Sequence, residues 1–302
     1  RPPAPKPQPP FRMIKRLLPS LLLSVCLGPA WAQKVAPPIK GAEHIVYKEA
    51  SGSKLILNVF NPKGHDPKKD ERPAIVFFFG GGWSGGNPAQ FAPHCEYLAS
   101  RGMVAMTADY RVRSRQGTPP FECVKDGKSA VRWIRQNAGK LGIDPKRLAA
   151  GGGSAGGHVA AATGTVPGLE EGGEDRSVSS KPDALVLFNP VYDNGPKGYG
   201  HDRVKDRWKE ISPMHNIRKG VPPAIVFLGD QDKLIPVSTA EKFKALMEKV
   251  GSQSDLHVYK DQPHGFFNQG KKGNYYEKTV LETDKFLAGL GWLKGKPTIR
   301  VP

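Results

Sequence analysis

Residues 152–158 read Gly-Gly-Ser-Ala-Gly-Gly-His, and this stretch decides how the rest of the sequence is interpreted. It matches the pattern Gly-x-Ser-x-Gly, in which a strand turns so sharply into a helix that the serine hydroxyl is left exposed. Glycines two positions before and after Ser154 fit that turn, because a side chain at either position would collide with it. The apolar run before the motif predicts a buried strand, and the small residues after it predict a helix. These flanks favour a nucleophilic Ser154 over a simple glycine-rich loop.

Strands and helices alternate along the chain. The predicted strands cover residues 43–48, 55–60, 74–79, 103–108, 147–151, 184–188, 224–229 and 255–260, and the predicted helices cover residues 88–101, 121–139, 158–164, 238–250 and 275–290. Most of these strands are continuous apolar runs, which are typical of strands buried on both faces of a parallel sheet. The first two alternate instead, as half-exposed antiparallel edge strands do. The sequence therefore predicts an α/β protein, a three-layer αβα sandwich with a doubly wound, mostly parallel, eight-stranded sheet.

The domain organisation follows from composition. Residues 33–302 have the length of one large α/β domain, and no linker or repeat divides them. Two polar stretches, residues 165–180 and 192–220, interrupt the alternation and are expected to form loops or a short cap. Residues 13–32 have the features of a secretory signal peptide: two basic residues, an apolar run and Ala-Trp-Ala before Gln33.

The N-terminal prediction has two alternatives. A membrane anchor is disfavoured because the apolar run is shorter than the roughly 20 residues that span a bilayer. A lipid-modified Cys26 is disfavoured because Val25 in front of it is large. Residues 1–12 are then an upstream extension, and we expect a secreted or periplasmic protein cleaved near Ala32, with no membrane span.

The chain is strongly basic, with a formal net charge of +17, of which five basic residues precede Gln33. A solvated basic surface explains this charge, and attraction to an acidic polysaccharide or cell wall is the alternative. Nucleic acid is not an expected partner, because the lysines are scattered and no nucleic-acid-binding motif accompanies them.

Cys95 and Cys123 remain after the predicted cleavage and are candidates for one disulfide in an exported protein. Sequence does not show whether their Cα atoms lie within bonding distance, so we interpret both as structural. No group of His, Cys and Asp has metal-ligand spacing, and we therefore expect neither a metal nor an organic cofactor.

An acyl-transfer serine needs a base and an acid that orients the base, and both follow Ser154 in the order Ser, Asp, His. Asp230 and Asp232 lie after the predicted strand 224–229, where sites of open α/β sheets collect. The spacing Gly-x-x-Asp-x-x-Ile-Pro favours Asp232 as the acid, with Asp230 as the alternative. His264 follows the last predicted strand and is the expected base, in preference to His158 on the helix after the serine.

The oxyanion hole needs backbone N–H groups aimed at the developing negative charge. The glycine run at residues 80–82 follows a predicted strand, and we assign Gly81, Gly82 and the amide of Ala155 as the donors. A phosphate-binding loop is the alternative, but no Gly-Lys-Ser/Thr follows the glycines. Trp83 comes next, and its indole is expected to form a wall beside the acyl group and so to favour short acyl chains. Tyr192, in the polar stretch 192–220, is a second predicted substrate-binding residue.

Taken together, these motifs resemble the α/β-hydrolase superfamily, and in particular its hormone-sensitive-lipase-like esterases and the secreted acetyl-xylan and feruloyl esterases. The resemblance covers about residues 43–290. It implies ester hydrolysis by Ser154, His264 and Asp232, and a structural polar network that contains Asp109, Arg111 and Asp126. In that family the oxyanion loop usually begins with His, whereas this chain has Phe79, which leaves the support of the loop unexplained.

The predicted function is that of a secreted serine carboxylesterase with short-chain acyl substrates. These could include acetyl or feruloyl groups on plant or algal polysaccharide. One alternative is a serine peptidase of the prolyl-oligopeptidase type, although the N-terminal propeller of such enzymes is missing from this sequence. The other is a binding protein on a hydrolase scaffold, although such proteins typically lack the nucleophile or the base.

Overall fold

The structure is a computed structural model that describes residues 1–4 and 37–302. The chain divides into two compact units, Arg1–Gln33 and Lys34–Pro302, and every helix and strand described lies in the second unit. The predicted signal peptide, residues 13–32, falls outside the described residues.

One eight-stranded sheet forms the centre of the second unit, in the order β1-β2-β4-β3-β5-β6-β7-β8. Its strands are β1 (Glu43–Ala50), β2 (Ser53–Phe60), β3 (Arg72–Phe78), β4 (Val104–Ala108), β5 (Ile143–Gly153), β6 (Ala184–Phe188), β7 (Ala224–Gly229) and β8 (Ser254–Tyr259). Strand β2 is antiparallel to β1 and β4, and the remaining neighbours are parallel. The predicted mostly parallel sheet with an antiparallel edge is confirmed.

Helices cover both faces of the sheet. They are α1 (Ala92–Ser100), α2 (Arg113–Gln116), α3 (Pro120–Gln136), α4 (Ala138–Leu141), α5 (Ala155–Thr165), α6 (His201–Val204), α7 (Val237–Lys249) and α8 (Tyr275–Gly289), with 3₁₀ turns at Pro88–Phe91, Lys205–Glu210 and Pro213–Asn216. Successive side chains of a strand point to opposite faces. In β3, Val76 and Phe78 pack with α3, α5 and α7, whereas Ile75 and Phe77 pack with α1 and α8. These two apolar layers explain why the strands are continuously apolar, and they establish the three-layer sandwich.

The parallel strands end at one edge of the sheet, and their registers place the loops that follow them side by side. Phe78 at the end of β3 pairs with Gly152 of β5, and Gly153 pairs with Phe188 at the end of β6. Because the chain leaves each strand at this edge, the loops after β3, β5, β6, β7 and β8 meet there. Every residue predicted to take part in catalysis lies on one of these loops or at the start of α5.

The polar stretch 165–180 is a loop after α5, and ion pairs hold it against α3. The carboxylate of Glu170 lies 2.9 Å from Nζ of Lys128 and also pairs with Arg132, and both cations are buried. Glu171 lies 2.7 Å from Nζ of Lys48. The second stretch, residues 192–220, contains α6 and two 3₁₀ turns, and we refer to it as the cap segment.

The candidate disulfide is absent. Cys95 on α1 and Cys123 on α3 are both buried free thiols. They belong to the two apolar layers on opposite faces of the sheet, so the sheet itself separates them. Burial raises the pKa of both thiols well above the usual value, which keeps them in the protonated and unreactive form.

Candidate active site

The serine lies on a strained turn. Ser154 has φ 54° and ψ −120°, a positive-φ conformation outside the usual regions that a residue with a side chain rarely adopts. The turn needs glycine on both sides of Ser154. A Cβ at Gly152 would lie 2.5 Å from the carbonyl oxygen of Gly156, and a Cβ at Gly156 would overlap the carbonyl oxygens of Phe78 and Phe79. The motif at residues 152–158 therefore forms a strand-to-helix turn, as expected.

Three side chains form a continuous line of hydrogen bonds at the sheet edge. Oγ of Ser154 lies 2.9 Å from Nε2 of His264, and Nδ1 of His264 lies 2.6 Å from Oδ2 of Asp232. The other oxygen of Asp232 accepts hydrogen bonds from the backbone amides of Leu234 and Ile235, at 2.8 and 3.0 Å. The carboxylate is thus fixed toward Nδ1, which leaves Nε2 free to take a proton from the serine hydroxyl. This order is the one that serine hydrolases use.

The two candidate acids have different surroundings. Asp230 is exposed, and its carboxylate accepts the backbone amide of Asp261 at 2.7 Å. The carboxylate of Asp232 is fully buried and contacts the imidazole of His264. The structure therefore places the predicted acid, and not its alternative, beside the base.

The rival base, His158, faces away from the serine hydroxyl. Its Nδ1 accepts the indole N–H of Trp83 at 3.3 Å, and its Nε2 lies 3.0 Å from the carbonyl oxygen of Ile211. Burial lowers the pKa of His158 to about 4, despite the hydrogen bond to Ile211, which raises it. The ring is therefore a neutral structural bridge from the helix to the cap segment.

Three backbone amides at this edge of the sheet have no acceptor among residues 37–302. They belong to Gly81, Gly82 and Ala155, the predicted oxyanion donors. The loop passes close to the serine, because a Cβ at Gly80 would lie 3.4 Å from Cβ of Ser154. Unpaired N–H groups in such a place are suited to an anionic oxygen.

Tyr110 and Gln90 support the loop that begins with Phe79. The hydroxyl of Tyr110 donates to the carbonyl oxygen of Phe79 at 2.6 Å, and the two rings stack with their centroids 4.2 Å apart. The amide of Gly80 donates to Oε1 of Gln90 at 2.7 Å. Tyr110 lies in the motif Asp109-Tyr110-Arg111 that contributes to the family resemblance, but the sequence did not assign this supporting role to Tyr110 or to Gln90.

Trp83 is almost fully buried, at 1% exposure, and it lies under the cap segment rather than in an open pocket. Its ring contacts Tyr199 at 5.8 Å between centroids and lies beneath the guanidinium of Arg203 at 5.7 Å. One edge of Trp83 nevertheless contributes to a cavity of about 280 Å³. That cavity is lined by Gly82, Trp83, Ser84, Arg113, Gly117, Thr118, Pro119, Pro120, Asp202 and Arg203.

Tyr192 does not contact this cavity. Its side chain has no exposed surface, and its ring stacks on Phe243 of α7 with centroids 4.1 Å apart. The prediction that Tyr192 binds substrate is therefore wrong, because a ring that is buried against a core helix has no surface that a ligand could contact.

Sequence reasoning missed Asn189, which follows β6. Its Oδ1 accepts the amide of Gly265 at 2.9 Å, and its Nδ2 lies 3.4 Å from Nε2 of His264. Asn189 thus orients the loop that presents the base. Its position directly after an apolar strand was the one available signal. Among the described residues, no helix is long and apolar enough to cross a membrane, and no group of three potential metal ligands occurs.

The sheet is eight-stranded and mostly parallel, helices cover both of its faces, and Ser154 lies on the turn from β5 into α5. These features together define an α/β-hydrolase. Two family models match the chain, one described as BD-FAE over residues 57–189 and the dienelactone hydrolase family over residues 194–294. The solved structure of esterase 2 from Thermogutta terrifontis is 47% identical with a TM-score of 0.83, and the match covers 86% of this chain and 98% of that one. The chain belongs to the esterases of the α/β-hydrolase superfamily.

Curated relatives agree with this placement. A carboxylesterase of Mycobacterium tuberculosis is 34% identical, with 66% of this chain and 68% of the relative covered. Esterase LipC of the same organism is 30% identical, with 70% and 57% covered. The chain thus spans little more than half the length of some curated relatives that it matches.

Proposed function

We propose that this chain is a carboxylesterase that hydrolyses short-chain acyl esters, with Ser154 as nucleophile, His264 as general base and acid, and Asp232 as the orienting acid. One observation carries the proposal: the line of hydrogen bonds from Asp232 through His264 reaches Ser154 at the same edge of the sheet as three amides that have no acceptor among the described residues. Both parts of an acyl-transfer site are therefore present in one place.

The reaction follows from this geometry. Oγ of Ser154 attacks the ester carbonyl carbon while its proton passes to Nε2 of His264. The carbonyl oxygen becomes negative and is stabilised by the amides at Gly81, Gly82 and Ala155. The C–O bond to the alcohol then breaks, and the alcohol leaves with the proton held by His264. Water, deprotonated by the same imidazole, releases the acid from the serine.

The acyl group is proposed to be short. The cavity that Gly82 and Trp83 line is about 280 Å³, at the small end of the roughly 300–1,000 Å³ of ligand pockets. Its lining includes neither Ser154 nor His264, so its assignment to the acyl group rests on its contact with Gly82 alone. Trp83 limits it, and the charged side chains of Arg113, Asp202 and Arg203 in its lining are poor partners for a lipid tail. Solved structures of the Thermogutta esterase with propionate and with butyrate support the same acyl size.

The natural substrate and the location are further parts of the proposal. Acetyl or feruloyl groups on plant or algal polysaccharide agree with the expected export and with the basic charge of the chain. Mass spectrometry of protein from the medium or periplasm is expected to give a chain that starts at Gln33. An intact N-terminus in that fraction would contradict cleavage of residues 13–32.

The experiment that tests the mechanism compares Asp232→Asn with Asp230→Asn on p-nitrophenyl acetate. The first change is expected to lower kcat about 10⁴-fold, the size found for the same change in a serine protease, because the imidazole loses its orientation. Asp230→Asn, in the same loop, is the matched control and is expected to leave kcat within about twofold. Ser154→Ala is expected to remove turnover to the level that the oxyanion hole alone supports. Equal losses for the two Asp variants would overturn the assignment of the acid.

The choice of substrate class needs a second assay. The wild type is offered p-nitrophenyl acetate, a dipeptide anilide and acetylated xylan. Preferred cleavage of the anilide would replace the esterase by a peptidase, and binding of an ester without cleavage would indicate a binding protein. Release of acetate from xylan, absent in Ser154→Ala, would support the polysaccharide substrate.

A further inference from the structure

Two amide side chains join the oxyanion loop to the loop that presents the base. Gln90 lies on the 3₁₀ turn Pro88–Phe91, and Asn268 lies four residues after His264. The amide of Gly80 donates to Oε1 of Gln90 at 2.7 Å, and Nε2 of Gln90 donates to Oδ1 of Asn268 at 2.9 Å. Nδ2 of Asn268 then donates to the carbonyl oxygen of Gly265 at 2.8 Å.

The donors and acceptors in this series of hydrogen bonds can be arranged in only one order. A backbone N–H at Gly80 only donates and a carbonyl at Gly265 only accepts, so each side-chain amide has one orientation that satisfies both of its neighbours. Turning Gln90 around would bring two donors together at Gly80 and two acceptors together at Asn268. Both side chains are half-buried, so water competes only partly for these groups.

This series of hydrogen bonds ends, on each side, next to a residue with a proposed catalytic function. Gly80 precedes the proposed oxyanion donors Gly81 and Gly82. Gly265 follows His264, and its own amide is held by Asn189 at 2.9 Å. Hydrogen bonds through Gln90 and Asn268, two residues 178 positions apart in sequence, therefore connect the oxyanion loop to the loop of the base.

We propose that Gln90 and Asn268 are a pair of positioning residues that keep the oxyanion loop in register with His264. The inference rests on the proposed function, and it adds two residues that touch neither substrate nor reacting atoms. Misplacement of about 1 Å in such a site costs roughly 10²-fold in rate. The oxyanion exists only in the transition state, so the loss falls on kcat rather than on KM.

The test uses Gln90→Met, Asn268→Leu and the double variant, assayed on p-nitrophenyl acetate. Each single change is expected to lower kcat between about 10- and 100-fold with KM within about twofold. Because Gln90→Met and Asn268→Leu each interrupt the same series of hydrogen bonds, the double variant is expected to be no slower than the slower single variant. Gln116→Met is the matched control. Its amide is also half-buried and accepts the Val112 amide at 2.9 Å, but it joins neither loop.

Two further variants separate positioning from general stabilisation. Gln90→Glu keeps an acceptor for Gly80 but loses the donor to Asn268, and it is expected to retain more activity than Gln90→Met. Asn268→Asp keeps the acceptor for Gln90 and places an oxygen against the Gly265 carbonyl. It is expected to lower kcat even if Asn268→Leu fails to fold.

The outcomes are distinct. Inactive wild type would overturn the proposed function itself, whereas active wild type with normal kcat in the variants would overturn the positioning role alone. Losses that multiply in the double variant, or a raised KM with unchanged kcat, would also overturn it. If Gln116→Met lost as much kcat as Gln90→Met, the loss would be explained by reduced stability and the positioning role would also be overturned.

Discussion

His94 is expected to make this protein unstable in mild acid. It lies on α1 at 2% exposure, and neither ring nitrogen has a hydrogen-bond partner among the described residues. Its ring is enclosed by Phe77, Phe91, Phe188, Phe267 and Tyr276. Burial lowers the pKa of His94 to about 3, because a protonated imidazole would have to enter this apolar layer without a partner.

The sign and size follow from proton linkage. Below pH 6.5 the unfolded chain binds a proton at this histidine, while the folded protein does not until the pH approaches 3. The free energy of unfolding is therefore undiminished above about pH 6.5 and falls as the pH decreases toward 3. Between pH 7 and pH 5 the loss from His94 is about 2 kcal/mol. His158, whose pKa is lowered to about 4, adds a similar loss over the same interval. Together they are a large part of a typical stability of about 5–15 kcal/mol.

The assay is urea denaturation of the wild type and His94→Phe at pH 7 and at pH 5. The variant is expected to lose about 2 kcal/mol less than the wild type between the two pH values, because phenylalanine has no proton to bind. His44→Gln, at an exposed histidine, is the control and is expected to lose as much as the wild type. Equal losses in wild type and His94→Phe would refute the reasoning.

Three further substitutions test separate parts of the structure. Trp83→Ala enlarges the cavity and is expected to move the optimum of kcat/KM in a p-nitrophenyl ester series from acetate to palmitate toward longer chains; an unmoved optimum would remove Trp83 as the limit. Gly156→Ala is expected to prevent folding of the turn, since its Cβ would overlap backbone oxygens, whereas Gly139→Ala meets nothing within 4 Å and is expected to be tolerated in expression and melting tests. Glu170→Ala removes the carboxylate partner of the buried Lys128, while Arg132 keeps its pair with Glu174, and it is expected to cost about 3 kcal/mol in urea denaturation. Glu210→Ala at an exposed pair should cost under about 1 kcal/mol.

The central strands of the sheet were predictable because they are buried on both faces. Residues 184–188 and 224–229 were predicted with the observed bounds of β6 and β7, since each is a continuous apolar run with a polar residue, proline or glycine at its ends. Strand β5 is longer than predicted, because it begins at the buried Ile143, which pairs with Arg72 of β3, and residues 144–147 between Ile143 and the predicted apolar run are mostly charged. The turn at Ser154 and the acid loop could be located because each follows such a strand, whereas the base loop follows β8, a partly exposed edge strand.

Other features depend on contacts that leave no local pattern. Helices α2 and α6 are four residues each, too short for an apolar period to show. An aromatic residue in a polar stretch fits a binding site as well as a core, and only the contact of Tyr192 with Phe243 decides between them. Gln90 and Asn268 are ordinary polar residues until the fold brings them together.

The Phe79 position shows how the support of a loop changes with its sequence. A histidine at the start of this loop, as the resemblance implies, would use its side chain as a hydrogen-bonding brace. Here the hydroxyl of Tyr110 donates to the backbone carbonyl of Phe79, and the phenylalanine ring adds the stack on Tyr110. Gln90 holds the next amide from the other side. Because backbone groups of residues 79 and 80 make both hydrogen bonds, residue 79 needs only a flat apolar ring. Tyr110 and Gln90 make the hydrogen bonds that support the start of the loop.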